Sequence, residues 1–128
     1  MDTLTAPLIG KQAFDKDQAR MSLIIIRTDL PLERQMVQAC HAASMAGHRF
    51  AGWEDDTRMA LLAASNEDEL MKACMRLERL GIDFHLFHEP DHGIGYSAAA
   101  SAPIAWKQAR KALPHLSLWH PGCMQQAA

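Results

Sequence analysis

The stretch MSLIIIRTDLPLERQMVQACHAA, from Met21 to Ala43, limits the possible folds more than any other part of the chain. Ser22 to Ile26 is a short, β-branched, apolar run that does not alternate with polar residues, and such a run suits a central strand covered on both faces. A helix-compatible sequence follows within a few residues. Pro31 stands where a first helical turn tolerates it, and Asp29 lies upstream in a position to cap free amides. The helix is expected from about Leu32 to Gly47 or Phe50, with Ala39, Ala43 and Gly47 as a small-residue stripe against a sheet. A strand feeding directly into a helix is the opening of an α/β layered fold.

The rest of the chain continues that alternation. Thr57 to Ser65 reads as a second strand. The segment SNEDELMKACMRLERLG reads as a helix, with Ser65 and Asp68 as a capping box, Leu70, Cys74 and Leu77 as the buried stripe, and Gly81 as the stop. Ile82 to Glu89 alternates like a third strand, EPDHG is a turn, and GIGYSAAASAPI is a fourth strand of small residues. Trp106 to Leu113 is expected to form a short helix. The prediction is a three-layer α/β sandwich with a mixed sheet of about four strands and helices on both faces. Residues 1–20 read as a flexible leader, 21–119 as one domain and 120–128 as a tail.

Composition excludes several classes. The chain has 128 residues, 48% of them hydrophobic, enough for one buried core but not for two domains. A formal net charge of -2 gives no overall cationic field for polyanions. Cys40, Cys74 and Cys123 are odd in number and predict reduced thiols, hence a cytoplasmic protein. The sequence shows no signal-peptide core and no membrane-length apolar run, so neither export by that route nor a membrane is expected.

Two clusters are candidate sites. Arg34, Gln38 and His41 share one helix face, where a plain solvated surface is the competing explanation. Cys40 beside His41 points about 100° away on a helix, which argues for a packed thiol rather than a nucleophile–base pair. In FHLFHEPDHG, His85 and His88 point to opposite faces of a strand, and only Glu89, Asp91 and His92 could converge. No zinc spacing supports a metal, and none is expected. Glu89, at a strand end, is better placed as a general base or positioning group. Met36, Met45, Met59, Met71 and Met75 fit core spacings. Trp53, Trp106 and Trp119 fit either caps over the core or stacking platforms.

The run IIIRTDLPLERQMVQACHAA resembles the peptidyl-tRNA hydrolase 2 family, in which a strand ends in R-x-D-L and a helix carries Q-C-A-H-A-A. Arg27, Asp29 and Leu30 match the first element; Gln38, His41, Ala42 and Ala43 match the second. The resemblance extends over about residues 21 to 105, through the capped second helix and the strand GYSAAASAPI. Two departures stand out. PLERQ replaces the family's lysine-rich helix start, leaving Arg34 as the nearest cation, and EPDHGI replaces the loop D-A-G-x-T-Q, with Glu89 for the aspartate. The resemblance implies hydrolysis of the ester between peptide and tRNA by water, with no cofactor. It implies Glu89, His41 and Arg34 as catalytic groups and Arg27, Asp29, Gln38 and Asp91 as substrate-binding groups. It also implies a homodimer, to which Trp106, Trp119 and the apolar LSLW would contribute surface. The alternative is an inactive, family-like binding or regulatory module. A basic patch joining Arg34, Arg27 and Lys107, Arg110 and Lys111 would favour tRNA; a neutral cleft would favour the module.

Overall fold

A computed structural model describes residues 18–122. Residues 1–17 and 123–128 lie outside it, and with them most of the expected leader, the end of the tail and Cys123. The first strand, β1 (Arg20–Arg27), leads into α1 (Leu32–Arg49), then β2 (Arg58–Ala64) and α2 (Glu67–Arg79). Next come β3 (Phe84–Glu89), a single 3-10 turn (Asp91–Gly93) and β4 (Gly95–Ser101). Two short strands, β5 (Ile104–Ala105) and β6 (Ser117–Leu118), flank α3 (Trp106–Ala112).

The sheet is mixed and runs β3-β4-β1-β2-β6, with β5 paired to β1 outside that order. β1 and β2 are parallel, as a crossover through α1 requires, whereas β4 is antiparallel to both β1 and β3. The sheet therefore has six strands where about four were expected. β5 and β6 are two residues each, too short for any periodicity in the sequence to reveal them. β6 is held by pairing of Leu62 with Leu118 and by Trp119 N–H donating to Leu61 O at 2.8 Å.

β1 is central, and its side chains divide the core. Leu23 and Ile25 face a cluster with Leu70, Cys74 and Leu77 of α2 and Ala109 and Leu113 at α3. Ile24 and Ile26 face Ala42 and Ala46 of α1, together with Ala98 and Ala100 of β4. Two buried serines extend the β1–β4 seam: Ser22 Oγ donates to Ser101 O at 2.7 Å, and Leu23 N–H donates to Ser101 Oγ at 2.8 Å.

α2 behaves as a conventional amphipathic helix. Its cap is Asn66, one residue later than the expected Ser65, with its side chain accepting from Glu69 N–H at 2.9 Å. Gly81, at φ +74, closes it, as Gly81 N–H bonds Glu78 O and Ile82 N–H bonds Leu77 O. These two bonds satisfy the last carbonyls of the helix and need the left-handed backbone that glycine adopts freely.

α1 departs from the expected pattern. Its buried face is Gln35, Gln38, Ala42 and Ala46; Ala39 and Ala43 are half-buried and Gly47 is exposed. Met36 and Val37 are 62% and 52% exposed. Met45, Met59 and Met75 also lie outside the core, and only Met71 is half-buried. Cys40 is an exposed thiol, whereas burial pushes the Cys74 thiol up from 9.0 to about 12. The inversion on α1 has a chemical reason, because both inward glutamines find hydrogen-bond partners. Gln35 Nε2 donates to Leu30 O at 2.6 Å, and its Oε1 accepts from the Trp119 indole at 2.8 Å. A buried amide with its bonds made is tolerated where an unbonded one would not be.

Candidate functional site

The inward face of α1 meets the end of β3 at Gln38 and Glu89. Gln38, 2% exposed, donates from Nε2 to Glu89 Oε2 at 3.0 Å. The other carboxylate oxygen, Glu89 Oε1, accepts from Asp91 N–H at 3.1 Å. Both oxygens are thus fixed by donors from two different elements. The bond from Gln38, then the bond from Asp91 N–H, hold the Glu89 carboxyl below the usual carboxylate range against some desolvation; the charges of His41 and Arg34 add to this. The carboxylate is ionised at neutral pH.

His41 is exposed and stacks on Phe87, with centroids 4.7 Å apart and planes 5° from parallel. Phe87 sits two residues before Glu89, so this stack fixes the imidazole over the same strand end. The expected juxtaposition of Glu89 with Gln38 and His41 is therefore present, and Arg34 lies near enough on α1 for its charge to act on the carboxylate. Gln38 reaches it as a buried amide rather than as part of a solvated stripe. Asp91 contributes its backbone amide, while its side chain is exposed. His92 stands in the turn at φ 58, a conformation uncommon outside glycine, and faces solvent. Among the described residues no group of three or more His, Cys, Asp or Glu side chains could hold a metal ion, Glu89, Asp91 and His92 included. His85 and His88 do part company as expected. His85 Nδ1 lies 2.8 Å from an Arg49 guanidinium nitrogen, and burial and then that charge lower its pKa, whereas His88 packs edge-on against Tyr96.

Arg27 is bonded to Asp29 and to the start of β4. The guanidinium grips Asp29 at 3.0 and 2.9 Å and donates to Ile94 O at 2.6 Å and Tyr96 O at 3.0 Å. This fork ties the end of β1 to the start of β4, and no side chain caps α1, so the expected capping by Asp29 is absent. Gly95 completes the clamp. It sits at φ +77, and a Cβ there would lie 2.6 Å from Glu67 Oε2, the atom that accepts Tyr96 N–H.

Sequence reasoning missed Ser97. The serine is fully buried, and its hydroxyl donates to Gln38 Oε1 at 2.6 Å. Its position depends on a register shift opposite Phe87 and His88, where Ala98 pairs with Phe87 and Tyr96 with His88. A serine heading an alanine run is the only trace of this in the sequence, and a bulge leaves no periodic signal. The basic residues of α3 do not join the site. Ala109 and Ala112 bury α3 in the Leu23 and Ile25 cluster, while α1 buries Ala42 and Ala46 in the Ile24 and Ile26 cluster, so Lys107, Arg110 and Lys111 belong to the opposite layer from Arg34.

No protein-family model matches the chain, and no curated protein matches it significantly. A solved structure does: the protein of unknown function Atu0240 from Agrobacterium tumefaciens strain C58, at a TM-score of 0.59 and 16% identity, covering 84% of this chain and 100% of that one. The likeness is one of fold. No helix among the described residues is long and apolar enough to cross a membrane.

Proposed function

We propose that this chain is an ester hydrolase working by water attack at the Glu89 carboxylate, with peptidyl-tRNA the substrate its resemblance implies. The observation that carries the reading is the Glu89 carboxylate, fixed at both oxygens by Gln38 and the Asp91 amide and faced by His41 and Arg34. An ionised, immobilised carboxylate at an exposed strand end can take a proton from water as the water oxygen bonds the acyl carbon. The ester C–O bond then breaks, and the departing tRNA hydroxyl regains the proton. Arg34, which stays charged at any working pH, and His41 stabilise the negative charge that builds on the acyl oxygen. The chemistry requires no metal or cofactor. Because Glu89 titrates below the usual carboxylate range, kcat/KM should hold across neutral pH and fall only when acid protonates that carboxylate.

One observation favours a second reading, a binding module without turnover. The α3 cations lie in the other layer and Arg27 is held by Asp29, so Arg34 is left without the cationic field a tRNA backbone would use. The deciding experiment is release of peptide from purified peptidyl-tRNA by the wild type, with Arg34→Ala beside it. Hydrolysis that weakens in a salt-sensitive way in Arg34→Ala supports the hydrolase; no release at any protein concentration leaves the module. The same reading takes the chain as a cytoplasmic homodimer that covers its exposed Met59 and Leu118 against a second copy. A monomeric mass by light scattering at high concentration would remove that element.

A further inference from the structure

Gln38 is an amide whose two ends have opposite chemistry, and only one of its two orientations suits a carboxylate. With Nε2 toward Glu89 it donates; flipped, it would set Oε1 against an ionised oxygen. The carboxylate therefore sets the orientation of this buried side chain, and what the other end needs is a partner that holds the amide in place. What stands at the other end is Ser97, whose hydroxyl donates to Oε1 at 2.6 Å. Ser97 is there because the strand is bulged. Ala98 and Ala100 face α1 and Ala99 faces the other layer, so strict alternation would send Ser97 away from α1, beside Ala99. The extra residue of the bulge turns it back onto α1.

We propose that Ser97 is a positioning residue: its buried hydroxyl anchors the far end of the Gln38 amide whose N–H reaches Glu89, so that a serine–glutamine–glutamate relay holds the carboxylate ready. The inference rests on the hydrolase reading for its catalytic meaning, but the relay itself can be tested without substrate. The groups that face Glu89 are His41 and Arg34 from α1 and the Asp91 amide from the turn, and none of them contacts Ser97 in the hydrogen bonds that hold the relay. Removing the hydroxyl therefore leaves those charges in place and frees only the amide.

The test is an NMR titration of the full chain carrying carbon-13-labelled glutamate, with Glu89→Gln assigning the Glu89 resonance. In Ser97→Ala the Glu89 midpoint should move upward, because an amide no longer anchored at its far end holds its donor less well on the ionised form, and kcat/KM on peptidyl-tRNA should fall about tenfold, the size of one hydrogen bond. The acid limb of the pH profile should move with it. Ser97→Thr keeps the hydroxyl and should retain the wild-type midpoint. Ser101→Ala removes another fully buried serine of β4, one bonded to the β1 backbone, and should lower stability without moving Glu89. An unchanged midpoint in Ser97→Ala, or an equal shift in Ser101→Ala, would overturn the relay. A moved midpoint in a protein that releases no peptide would keep the relay and end the hydrolase reading.

Discussion

The two faces of the sheet are built on opposite terms. On the α2 and α3 side, Leu70, Leu77 and Cys74 pack against Leu23 and Ile25, and the inward helix faces are apolar. On the α1 side the inward helix face carries Gln35 and Gln38, and the larger apolar residues Met36 and Val37 point outward. The first layer is organised by burial of hydrocarbon, which is roughly proportional to area and tolerant of direction. The second is organised by directed hydrogen bonds, which place an amide and a carboxylate at fixed positions. The first layer supplies the larger apolar side chains of the core; the second, beside its own Ile24, Ile26, Ala42 and Ala46 cluster, positions the candidate site.

Leu77→Ala empties a fully buried position in the apolar layer and should lower unfolding free energy by about 2–5 kcal/mol, read by denaturant titration. A loss under about 1 kcal/mol would show that this layer is not the stabilising one. Gly95→Ala strikes the join between the layers. It forces a side chain into a positive-φ backbone and against Glu67, and should cost about 1–3 kcal/mol while loosening the Arg27 clamp. The smallest effect belongs to the outer face of α1. Val37→Ser, at a half-exposed position outside both cores, should change stability by less than about 0.5 kcal/mol. A larger loss would mean that this face is covered in solution.

The apolar layer was legible because its signals are local. Leu70, Cys74 and Leu77 repeat at helical spacing, and Gly81 marks the end of α2 as expected. The meeting of Glu89 with Gln38 and His41 was legible too, since the end of a strand and the helix face beside it must share an edge of the sheet. The rotation of α1 was not. Hydropathy alone ranks Met36 and Val37 as inward and Gln35 and Gln38 as outward, and only the long-range partners Trp119, Ser97 and Glu89 reverse that order. Asp29 read as a helix cap because its pairing with Arg27, and the carbonyls at Ile94 and Tyr96 that complete the clamp, are set only by the fold. Contacts between distant segments carry no periodicity, so burial of a polar residue was the feature least visible in advance.

The division between a stabilising layer and a working layer is tested most directly by one paired assay: hydrolysis of the same peptidyl-tRNA preparation by Glu89→Gln and Leu77→Ala, at a temperature where both are folded. Glu89→Gln keeps one oxygen that can accept from Gln38 and loses the bond from Asp91 N–H at the strand end, so it should lose little stability yet turn over about 100-fold more slowly. Leu77→Ala should do the reverse, with its stability reduced and its kcat/KM close to wild type. Equal turnover in Glu89→Gln and the wild type, or a Leu77→Ala protein that is fully stable but inactive, would contradict the account.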